Sequence, residues 1–416
     1  MKKIAVVGSG ISGLTVSYLL SAKYQVTLFE ANDYYGGHTH THDISLSGQQ
    51  YKIDTGFIVF NKKTYPNFVK LLQLLNVSYQ ESEMSFGIYA PQEKYYYCGK
   101  NLNTLFIQRK NFFKLSHWQL LKSIYTFNQA CLRLHKDQII PNATLGDFLL
   151  QFKNADVLKK YYLLPMISAI WSSGTTKVMS MPLNFFIQFF VNHDLFNISD
   201  RPMWYTIKSG SNTYIEPMLK QVQKTYLNSK VLNIVNRDKQ WEIDINNQQE
   251  LFDIVIFACH ANHASEIIKG NFPQIECILN RFKYQKNLAI LHFDSDFLPP
   301  KRGAIAAWNY LLNENSAMLP TLTYHMNSLQ KINAPIDFCV TLNPSVAIDH
   351  TKILKEIHYE HPIYTHETIH AQRLLDNVNG MNNLYFCGAH LGNGFHEDGV
   401  KSAISVAKQL GVEWLC

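Results

Sequence analysis

The sequence lacks paired cysteines, and this absence narrows the class of protein. Seven cysteines stand at positions 98, 131, 259, 277, 339, 387 and 416. Their number is odd, and no two have the short spacing of a disulfide framework, a metal site or a redox motif. We therefore expect free thiols in a reducing compartment and predict a cytoplasmic protein.

Long apolar runs and low-complexity tracts are also missing. The longest apolar stretch, 161–171, contains Pro165 and is shorter than the ~20 residues that a membrane span needs. Lys2 and Lys3 are typical of a secretory signal, but Gly8 and Gly10 interrupt the apolar run that follows. With 416 residues the chain is long enough for two domains. Its composition, 46% hydrophobic and 17% charged, excludes extensive disorder.

Acidic residues are absent between Glu93 and Asp137, although the net charge of the whole chain is only +6. Eight lysines and arginines occur in this interval, with phenylalanine, tyrosine and tryptophan interleaved among them. Such a pattern suits the headgroup region of an anionic bilayer. We predict peripheral association of residues 100–136 with the inner face of the membrane. The alternative is a solvated face whose aromatic rings pack inward. No nucleic-acid recognition motif accompanies the run, so no nucleic acid is expected as a partner.

The first thirty residues carry a nucleotide-binding pattern. A β-branched run at 3–7 leads directly into Gly-Ser-Gly-Ile-Ser-Gly at 8–13, and residues 14–20 continue with helical spacing. A second strand is predicted at 26–29, and Glu30 closes it. Strand, glycine turn, helix, strand and acid in this order form the fingerprint of a dinucleotide-binding βαβ unit. The sequence therefore predicts a Rossmann-like domain.

Each part of the fingerprint has a physical function. Gly8 permits the tight turn, Gly10 lets a pyrophosphate approach the backbone because it has no Cβ, and Gly13 lets the helix pack closely on the sheet. The free N–H groups of the helix that opens near Ser12 face the phosphates. Glu30 would bind a ribose hydroxyl, and its carboxylate argues against the 2′-phosphate of NADP.

Motifs beyond this unit resemble the FAD-dependent amine oxidase superfamily, which includes phytoene desaturases and protoporphyrinogen oxidases. They are Gly36-Gly37-His38, Asp54-Thr55-Gly56-Phe57, and a C-terminal strand at 383–388 followed by a glycine-rich loop and a helix at 400–410. The superfamily commonly has Arg where this chain has His38, and an acid where it has Ala389. The resemblance implies FAD, with the C-terminal helix pointing its N–H groups at the flavin. Some amine oxidases attach flavin through a cysteine, but the candidate here, Cys387, is predicted to lie inside the strand, so we expect non-covalent FAD.

The resemblance also implies a set of cofactor-binding residues. They are Gly8, Gly10, Ile11, Ser12, Gly13, Glu30, Ala31, Gly36, Gly37, His38, Thr55, Gly56, Phe57, Val231, Gly388, Phe395, His396, Glu397 and Asp398.

Five segments narrow the resemblance to a subgroup: 54–61, 169–172, 308–310, 324–330 and 394–399. They are similar to bacterial flavoproteins that resemble the flavoprotein half of plant cyclopropane fatty acid synthases. This similarity implies an apolar or lipid substrate, with a fatty acyl chain as the group oxidised or desaturated, and a lipid-modifying methyltransferase as a partner.

The expected fold is α/β, with a Rossmann-like FAD-binding domain interleaved with an α+β substrate domain that contains an antiparallel sheet. The predicted FAD-binding parts are 1–64, 205–284 and 376–416, and the substrate-domain parts are 65–204, mainly helical, and 285–375, mainly sheet.

The predicted chemistry is hydride transfer from a substrate carbon to the flavin. His396 is the candidate base because it lies in the loop beside the flavin, with Trp171 and Tyr310 as channel walls. His396 could instead hold its loop through hydrogen bonds. The alternative functions are a flavin oxidase of small amines, an NAD-dependent dehydrogenase, and a non-catalytic escort protein that binds lipids or prenyl groups on the same fold.

Seventeen histidines raise the question of a metal. His38, His40 and His42 alternate, so a strand would place them on one face. No cysteine or paired acid completes a tetrahedral ligand set. We therefore predict no metal site.

Overall fold

A computed structural model describes residues 1–46, 48–172, 174–197, 202–246, 248–312 and 319–414. The strands, numbered in chain order, are β1 Lys3–Val7, β2 Gln25–Phe29, β3 Thr41–Leu46, β4 Gln49–Asp54, β5 Phe60–Asn61, β6 Tyr79–Ser82, β7 Phe86–Ala90, β8 Tyr95–Cys98, β9 Trp204–Ile207, β10 Lys224–Tyr226, β11 Val231–Arg237, β12 Gln240–Ile245, β13 Gln248–Phe252, β14 Ile254–Phe257, β15 Lys283–His292, β16 Trp308–Leu311, β17 Thr321–His325, β18 Cys339–Leu342, β19 Ile353–Ile363 and β20 Leu384–Phe386.

The α-helices are α1 Ile11–Leu20, α2 Pro66–Leu74, α3 Leu102–Leu105, α4 Leu115–Lys136, α5 Leu145–Leu149, α6 Ala155–Leu158, α7 Leu164–Trp171, α8 Thr175–Met179, α9 Leu183–Asn192, α10 Ile215–Leu219, α11 Ala261–Ile267, α12 Pro273–Leu279, α13 Met326–Leu329, α14 His366–Val378 and α15 His396–Gln409. Short 3₁₀ turns occupy Arg109–Phe113, Ser211–Tyr214, Ser295–Phe297, Arg302–Ala304, His350–Lys352, Met381–Asn383 and Ala389–Leu391, and a π turn occupies Lys159–Leu163.

A parallel sheet in the order β10-β2-β1-β14-β20 brings together strands from both ends and the middle of the chain. Its central strand β1 is buried on both faces: Ile4 and Val6 belong to one apolar core, while Ala5 and Val7 belong to another. Such strands form where helices or loops cover both sides of a parallel sheet. The predicted Rossmann-like domain is confirmed.

A second sheet has the order β19-β15-β18-β17-β16-β7-β8. Its neighbours are antiparallel except β16 and β7, which are parallel. Helices α4, α5, α7 and α9 share a phenylalanine-rich core with Ile88 of β7 and Tyr97 of β8. The predicted α/β fold class with an antiparallel sheet is therefore confirmed.

The region expected to be mainly helical, 65–204, also contains strands β6, β7 and β8. Aromatic residues at 95–97 and alternating apolar residues at 86–90 explain them, because such residues fit a pleated surface. The domain boundaries themselves stay a prediction. Within the described residues, no helix is long and apolar enough to cross a bilayer.

Candidate functional site

A cavity of about 1300 Å³ extends from the carboxyl ends of β1, β2 and β14 to the second sheet. The carboxyl edge of a parallel sheet is where open α/β folds bind ligands. We call its two parts the nucleotide arm, next to β1, β2, β11 and β14, and the apolar arm, next to β7, α7, α9 and β16.

The nucleotide arm is built from two glycine segments in contact. Gly36 N donates to Ser9 O over 3.1 Å and lies opposite Gly10 in an isolated bridge. Gly8 and Gly36 have φ values of +101° and +122°, which favour glycine. A Cβ added at Gly10 would meet no atom within 4 Å. The space above Gly10 is therefore open, as a pyrophosphate site requires.

Glu30 lies at the end of β2 and is 6% exposed. Its carboxylate accepts hydrogen bonds from Ser9 N at 2.9 Å, Ser9 Oγ at 2.6 Å and Asn32 N at 3.0 Å. The carboxylate is thus fixed beside the first glycine turn, at the edge of the cavity. This is the position from which an acid can reach a ribose hydroxyl.

Most of the predicted cofactor-binding residues line the cavity. These are Gly8, Gly10, Ile11, Ser12, Glu30, Ala31, Gly36, Gly37, His38, Gly56, Phe57, Val231, Gly388, Phe395 and His396. Gly13, Thr55, Glu397 and Asp398 are not among the lining residues.

Gly13 and Thr55 serve packing instead of lining the cavity. A Cβ at Gly13 would overlap the carbonyl oxygen of Gly8, so this glycine allows α1 to approach the turn. The hydroxyl of Thr55 lies 2.8 Å from Tyr359 OH. Both positions belong to the structure around the cavity, as the superfamily motif indicates, but neither lines it.

The two acids at the start of α15, Glu397 and Asp398, accept hydrogen bonds from helix N-termini. Glu397 accepts from Asn67 Nδ2 at 2.7 Å and from Phe68 N at 2.9 Å, so it caps α2. Asp398 accepts from Phe395 N at 3.0 Å and caps its own helix. Burial raises the pKa of Asp398 to about 6. The expectation that both acids face the cofactor did not allow for these capping roles.

His396 lines the cavity and is held on three sides. Its ring stacks on Phe57 with centroids 3.5 Å apart, and Nε2 lies 3.1 Å from both Thr39 Oγ1 and Tyr214 OH. Thr39 and Tyr214 also share a short hydrogen bond. Burial lowers the pKa of His396 to about 3. The ring is therefore neutral at pH 7 and a weak base, which favours the loop-holding interpretation.

Trp171 and Tyr310 are not among the lining residues of the cavity, contrary to the prediction. The Trp171 indole donates to Asn393 O over 3.1 Å and fixes the loop before α15. Tyr310 packs against the neighbouring apolar cores. Trp308 and Tyr324 line the cavity in its place, as a T-shaped pair with centroids 5.0 Å apart. Strand alternation puts 308 and 310 on one face, so the sequence pattern alone does not show which of them faces the cavity.

Sequence reasoning also missed a group of histidines at the middle of the cavity. The ring centroid of His38 lies 5.2 Å from that of His361 and 6.2 Å from that of His260. The same ring stacks on Tyr359, with centroids 4.8 Å apart. His390 lines the same region. These histidines are scattered along the sequence, so no local motif could have grouped them. Among the described residues, no three His, Cys, Asp or Glu side chains are arranged to hold a metal ion.

His38 itself is neutral and unsatisfied. Burial lowers its pKa well below the usual value, and His361, His260, His396 and His40 lower it further. Its Nε2 atom is buried without a hydrogen-bond partner among the described residues. A buried nitrogen of this kind is costly unless a ligand satisfies it.

The apolar arm is lined by aliphatic and aromatic side chains with a few small polar groups. Its lining includes Ile58, Val59, Met84, Phe86, Met166, Ala169, Ile170, Phe189, Leu195, Trp204, Trp308 and Tyr324, together with Ser82, Ser85, Ser172 and His193. The acids that line the cavity within the described ranges are Glu30, Glu266 and Glu360. Glu266 is in α11 and Glu360 lies 3.5 Å from His260, so all three belong to the nucleotide side.

Cys259 lines the cavity, and burial raises the pKa of its thiol. The six cysteines in the described residues are free, and Cys416 lies outside them. Cys387 is fully buried in the core of the parallel sheet, and burial raises the pKa of its thiol. A buried neutral thiol is a poor nucleophile.

Residues 6–75 match the family described as NAD(P)-binding Rossmann-like domain. A curated relative, 1-hydroxycarotenoid 3,4-desaturase of Flavobacterium sp., is 43% identical over 76 residues, which span 18% of this chain and 14% of that protein. The whole chain is similar to the crystal structure of a fatty acid isomerase from P. acnes that produces CLA, with 13% identity, a TM-score of 0.70 and 98% coverage of both chains. Cyclohexylamine oxidase from Brevibacterium oxydans gives 12% identity, a TM-score of 0.67 and 99% coverage of both.

These similarities show the fold. The chain has the fold of the fatty acid isomerase and of cyclohexylamine oxidase, as the resemblance of its motifs to the amine oxidase superfamily led us to expect, and residues 6–75 form a Rossmann-like unit. The narrower similarity to the flavoprotein half of plant cyclopropane fatty acid synthases stays a prediction.

Proposed function

We propose that the protein is an FAD-dependent oxidoreductase that removes a hydride from a carbon of an apolar substrate, with a fatty acyl chain as the substrate class. The observation that carries the proposal is the composition of the cavity described above. Its nucleotide arm has the open glycine turns and ribose-binding acid of a dinucleotide site, and its apolar arm adjoins them.

The residues present fit FAD. The open space over Gly10 and the N-terminus of α1 would hold the pyrophosphate, and Glu30 would hold the ribose of the adenosine. His38, with its unsatisfied Nε2, stands where the superfamily commonly has an arginine. Bound FAD would supply the hydride acceptor. Because Cys387 is buried in the core, we propose that the cofactor is held without a covalent bond.

The chain's own contribution is to bind, orient and exclude water. Met84, Phe86 and Trp308 present apolar surface to the substrate, which favours an extended hydrocarbon over a hydrated group. His396 and Trp171 keep the loop before α15 in place through the contacts described above. His396 is thus proposed as a positioning residue, with no proton transfer assigned to it.

A small amine is the alternative substrate, and the distribution of acids argues against it. An ammonium group buried in a low-dielectric cavity is best stabilised by a carboxylate, and the aromatic rings of the apolar arm could offer it only the weaker cation–π contact. Within the described residues, the acids of the cavity lie on the nucleotide side, and the apolar arm offers serines and one histidine, His193. Burial lowers the pKa of His193 to about 4, so it carries no charge of its own at pH 7.

Anaerobic titration of the flavin-loaded protein tests the substrate class. A panel of fatty acids, acyl lipids and primary amines would be added, and bleaching of the flavin band followed. We expect bleaching with one or more acyl compounds and none with the amines. Bleaching by amines alone would contradict the proposal. The Met84→Glu variant, which introduces an acid into the apolar arm, should lose the response to acyl chains while still binding flavin.

His38→Phe is expected to weaken FAD binding by roughly tenfold to a hundredfold, because a hydrogen bond to a charged group contributes ~1.5–3 kcal/mol. Phe keeps the ring that stacks on Tyr359 but removes the nitrogen. The dissociation constant of FAD, measured by fluorescence quenching, gives the result. His42→Phe is the matched control because His42 is not among the cavity's lining residues. Equal loss in both variants would refute the role of His38.

His396→Gln is expected to lower the free energy of unfolding by ~1–3 kcal/mol, because Thr39 and Tyr214 lose a buried partner. If His396 only positions the loop, the kcat–pH profile should keep its shape, whatever the change in the maximal kcat. Tyr214→Phe, which breaks the same network, should reproduce both effects. Loss of one limb of the kcat–pH profile in His396→Gln alone would show that the histidine transfers a proton.

A further inference from the structure

An exposed group of apolar side chains lies on the segment that joins β8 to α4 and on the first turns of α4 itself. It comprises Leu102, Phe112, Phe113, Leu115, Trp118 and Tyr125, and we call it the aromatic patch. Phe113 is 93% exposed, Leu102 76% and Leu115 73%. Large apolar side chains gathered in this way on a surface mark an interaction site.

The aromatic patch is a built surface and not a set of loose side chains. Phe106 is buried, stacks on Phe112 with centroids 4.0 Å apart and contacts Trp118 at 5.3 Å. The Trp118 indole donates to Phe112 O over 3.0 Å. The 3₁₀ turn Arg109–Phe113 and the start of α4 are therefore fixed against each other, with the aromatic rings held outward.

Helix α4 extends the same surface. Leu115, Trp118, Lys122 and Tyr125 follow each other at spacings of three, four and three, so they form one stripe on the helix. The opposite side, with Leu120 and Phe127 among others, is buried in the helical core. The alternative considered for this segment was that its aromatic rings pack into the core. Phe127 packs into the core, whereas Phe112, Phe113, Trp118 and Tyr125 are exposed.

Positive charge surrounds the patch. Arg109, Lys110, Lys114 and Lys122 alternate along the chain with the residues of the patch, and no salt bridge among the described residues involves any of the four. The interval from 94 to 136 contains no acid. Unpaired cations beside exposed aromatic rings complement the anionic headgroups of a bilayer, where cations stay hydrated and rings enter the interface.

The segment that carries the patch is also connected to the cavity wall. Lys100, two residues before α3, lies 2.7 Å from Glu83, and Glu83 accepts from Ser85 Oγ at 2.7 Å. Ser85 and its neighbours Met84 and Phe86 line the apolar arm. A surface resting on the patch would therefore lie a few residues from the wall of the apolar arm.

We propose that the aromatic patch docks the protein peripherally on an anionic lipid bilayer. The aromatic and aliphatic side chains enter the interface, and Arg109, Lys110, Lys114 and Lys122 contact the headgroups. Binding of this kind requires no flavin, so it goes beyond the proposed oxidoreductase activity and can fail or succeed independently of it.

Co-sedimentation of the full-length protein with vesicles tests the proposal. The probes are vesicles of phosphatidylcholine alone and vesicles containing about 30% phosphatidylglycerol, each at low and high salt. We expect binding to the anionic vesicles at low salt, at least tenfold weaker binding to neutral vesicles, and loss of binding at high salt. Equal binding to both, or binding to neither, would overturn the proposal.

Two variants, each with a matched control, separate the contribution of the positive charges from that of the apolar side chains. Lys110→Glu with Lys114→Glu should weaken anionic-vesicle binding at least tenfold, and Phe113→Ser should weaken it severalfold. The matched controls are Lys239→Glu with Lys269→Glu, exposed cations outside the patch, and Leu150→Ser, an apolar side chain 84% exposed elsewhere. Controls that lose as much binding as the patch variants would contradict the assignment. Saturable binding to an acidic protein in the absence of vesicle binding would replace the bilayer with a protein partner.

Discussion

Replacement of Gly10 by valine is expected to give a folded protein that purifies without flavin. Gly10 has φ −62° and ψ 178°, which any residue adopts, and a Cβ there meets no protein atom within 4 Å. The added methyl groups would instead fill the space above the turn, where the pyrophosphate approaches the backbone. We expect the affinity for FAD to fall by roughly a hundredfold or more, equivalent to ~3 kcal/mol. Flavin absorbance and a titration with added FAD give the result.

Gly13→Val provides the matched comparison. A Cβ at Gly13 overlaps the Gly8 carbonyl oxygen, so this variant should be poorly folded whatever the flavin content. The pair distinguishes a glycine required by the ligand from one required by packing. Retention of flavin by Gly10→Val at the wild-type stoichiometry and affinity would show that no pyrophosphate lies over this turn.

The second large effect expected is a loss of stability on acidification. Burial lowers the pKa of several histidines: His193, His292 and His361 to about 4, and His390 and His396 to about 3. Between pH 6.5 and 4 the unfolded chain binds protons at these positions that the folded chain does not, so stability falls as the pH falls. Each unit of pKa shift corresponds to ~1.4 kcal/mol.

Two buried acids act in the opposite direction. Burial raises the pKa of Asp54 and Asp398 to about 6, so the folded chain binds protons there that the unfolded chain releases between pH 4 and 6. The five histidines outnumber them. We therefore expect the free energy of unfolding to be lower at pH 4.5 than at pH 7 by several kcal/mol, a large part of the total for an ordinary domain.

Urea unfolding at the two pH values measures this difference. His292→Gln should reduce the difference in the free energy of unfolding, because it removes one buried histidine with a lowered pKa. The Nε2 atom of His292 lies 2.7 Å from Thr341 Oγ1, and the residue is remote in sequence from the glycine turns. His350→Gln, which changes an exposed histidine, should leave the difference as it is. A free energy of unfolding that is the same at pH 4.5 and pH 7 would contradict the account.

The parallel sheet and the nucleotide arm could be predicted because their signals are local. The run at 3–7, the glycines at 8–13 and Glu30 lie within one βαβ unit, and each has a fixed steric or electrostatic function. The structure places Gly8, Gly10 and Glu30 at one end of the cavity. The C-terminal strand was also predicted, and it pairs with β14 at the edge of the same sheet.

The apolar arm and the histidine group could not be predicted in the same way, because their members come from distant strands. His38, His260, His361 and His390 meet only after the sheets assemble, and Trp308 lines the cavity where Tyr310 was expected. The capping role of Glu397 was not predicted for a related reason. Its partner is the start of α2, some 330 residues away in the chain, and a helix cap of this kind leaves no mark in the local sequence.

Release of flavin by acid decides whether this chain holds one FAD without a covalent bond, as we propose. The absorbance spectrum of the purified protein would be recorded, the protein precipitated with acid, and the flavin in the supernatant quantified. We expect a band at about 450 nm, one flavin released per chain, and none left on the precipitate. A colourless preparation that does not take up added FAD would contradict it.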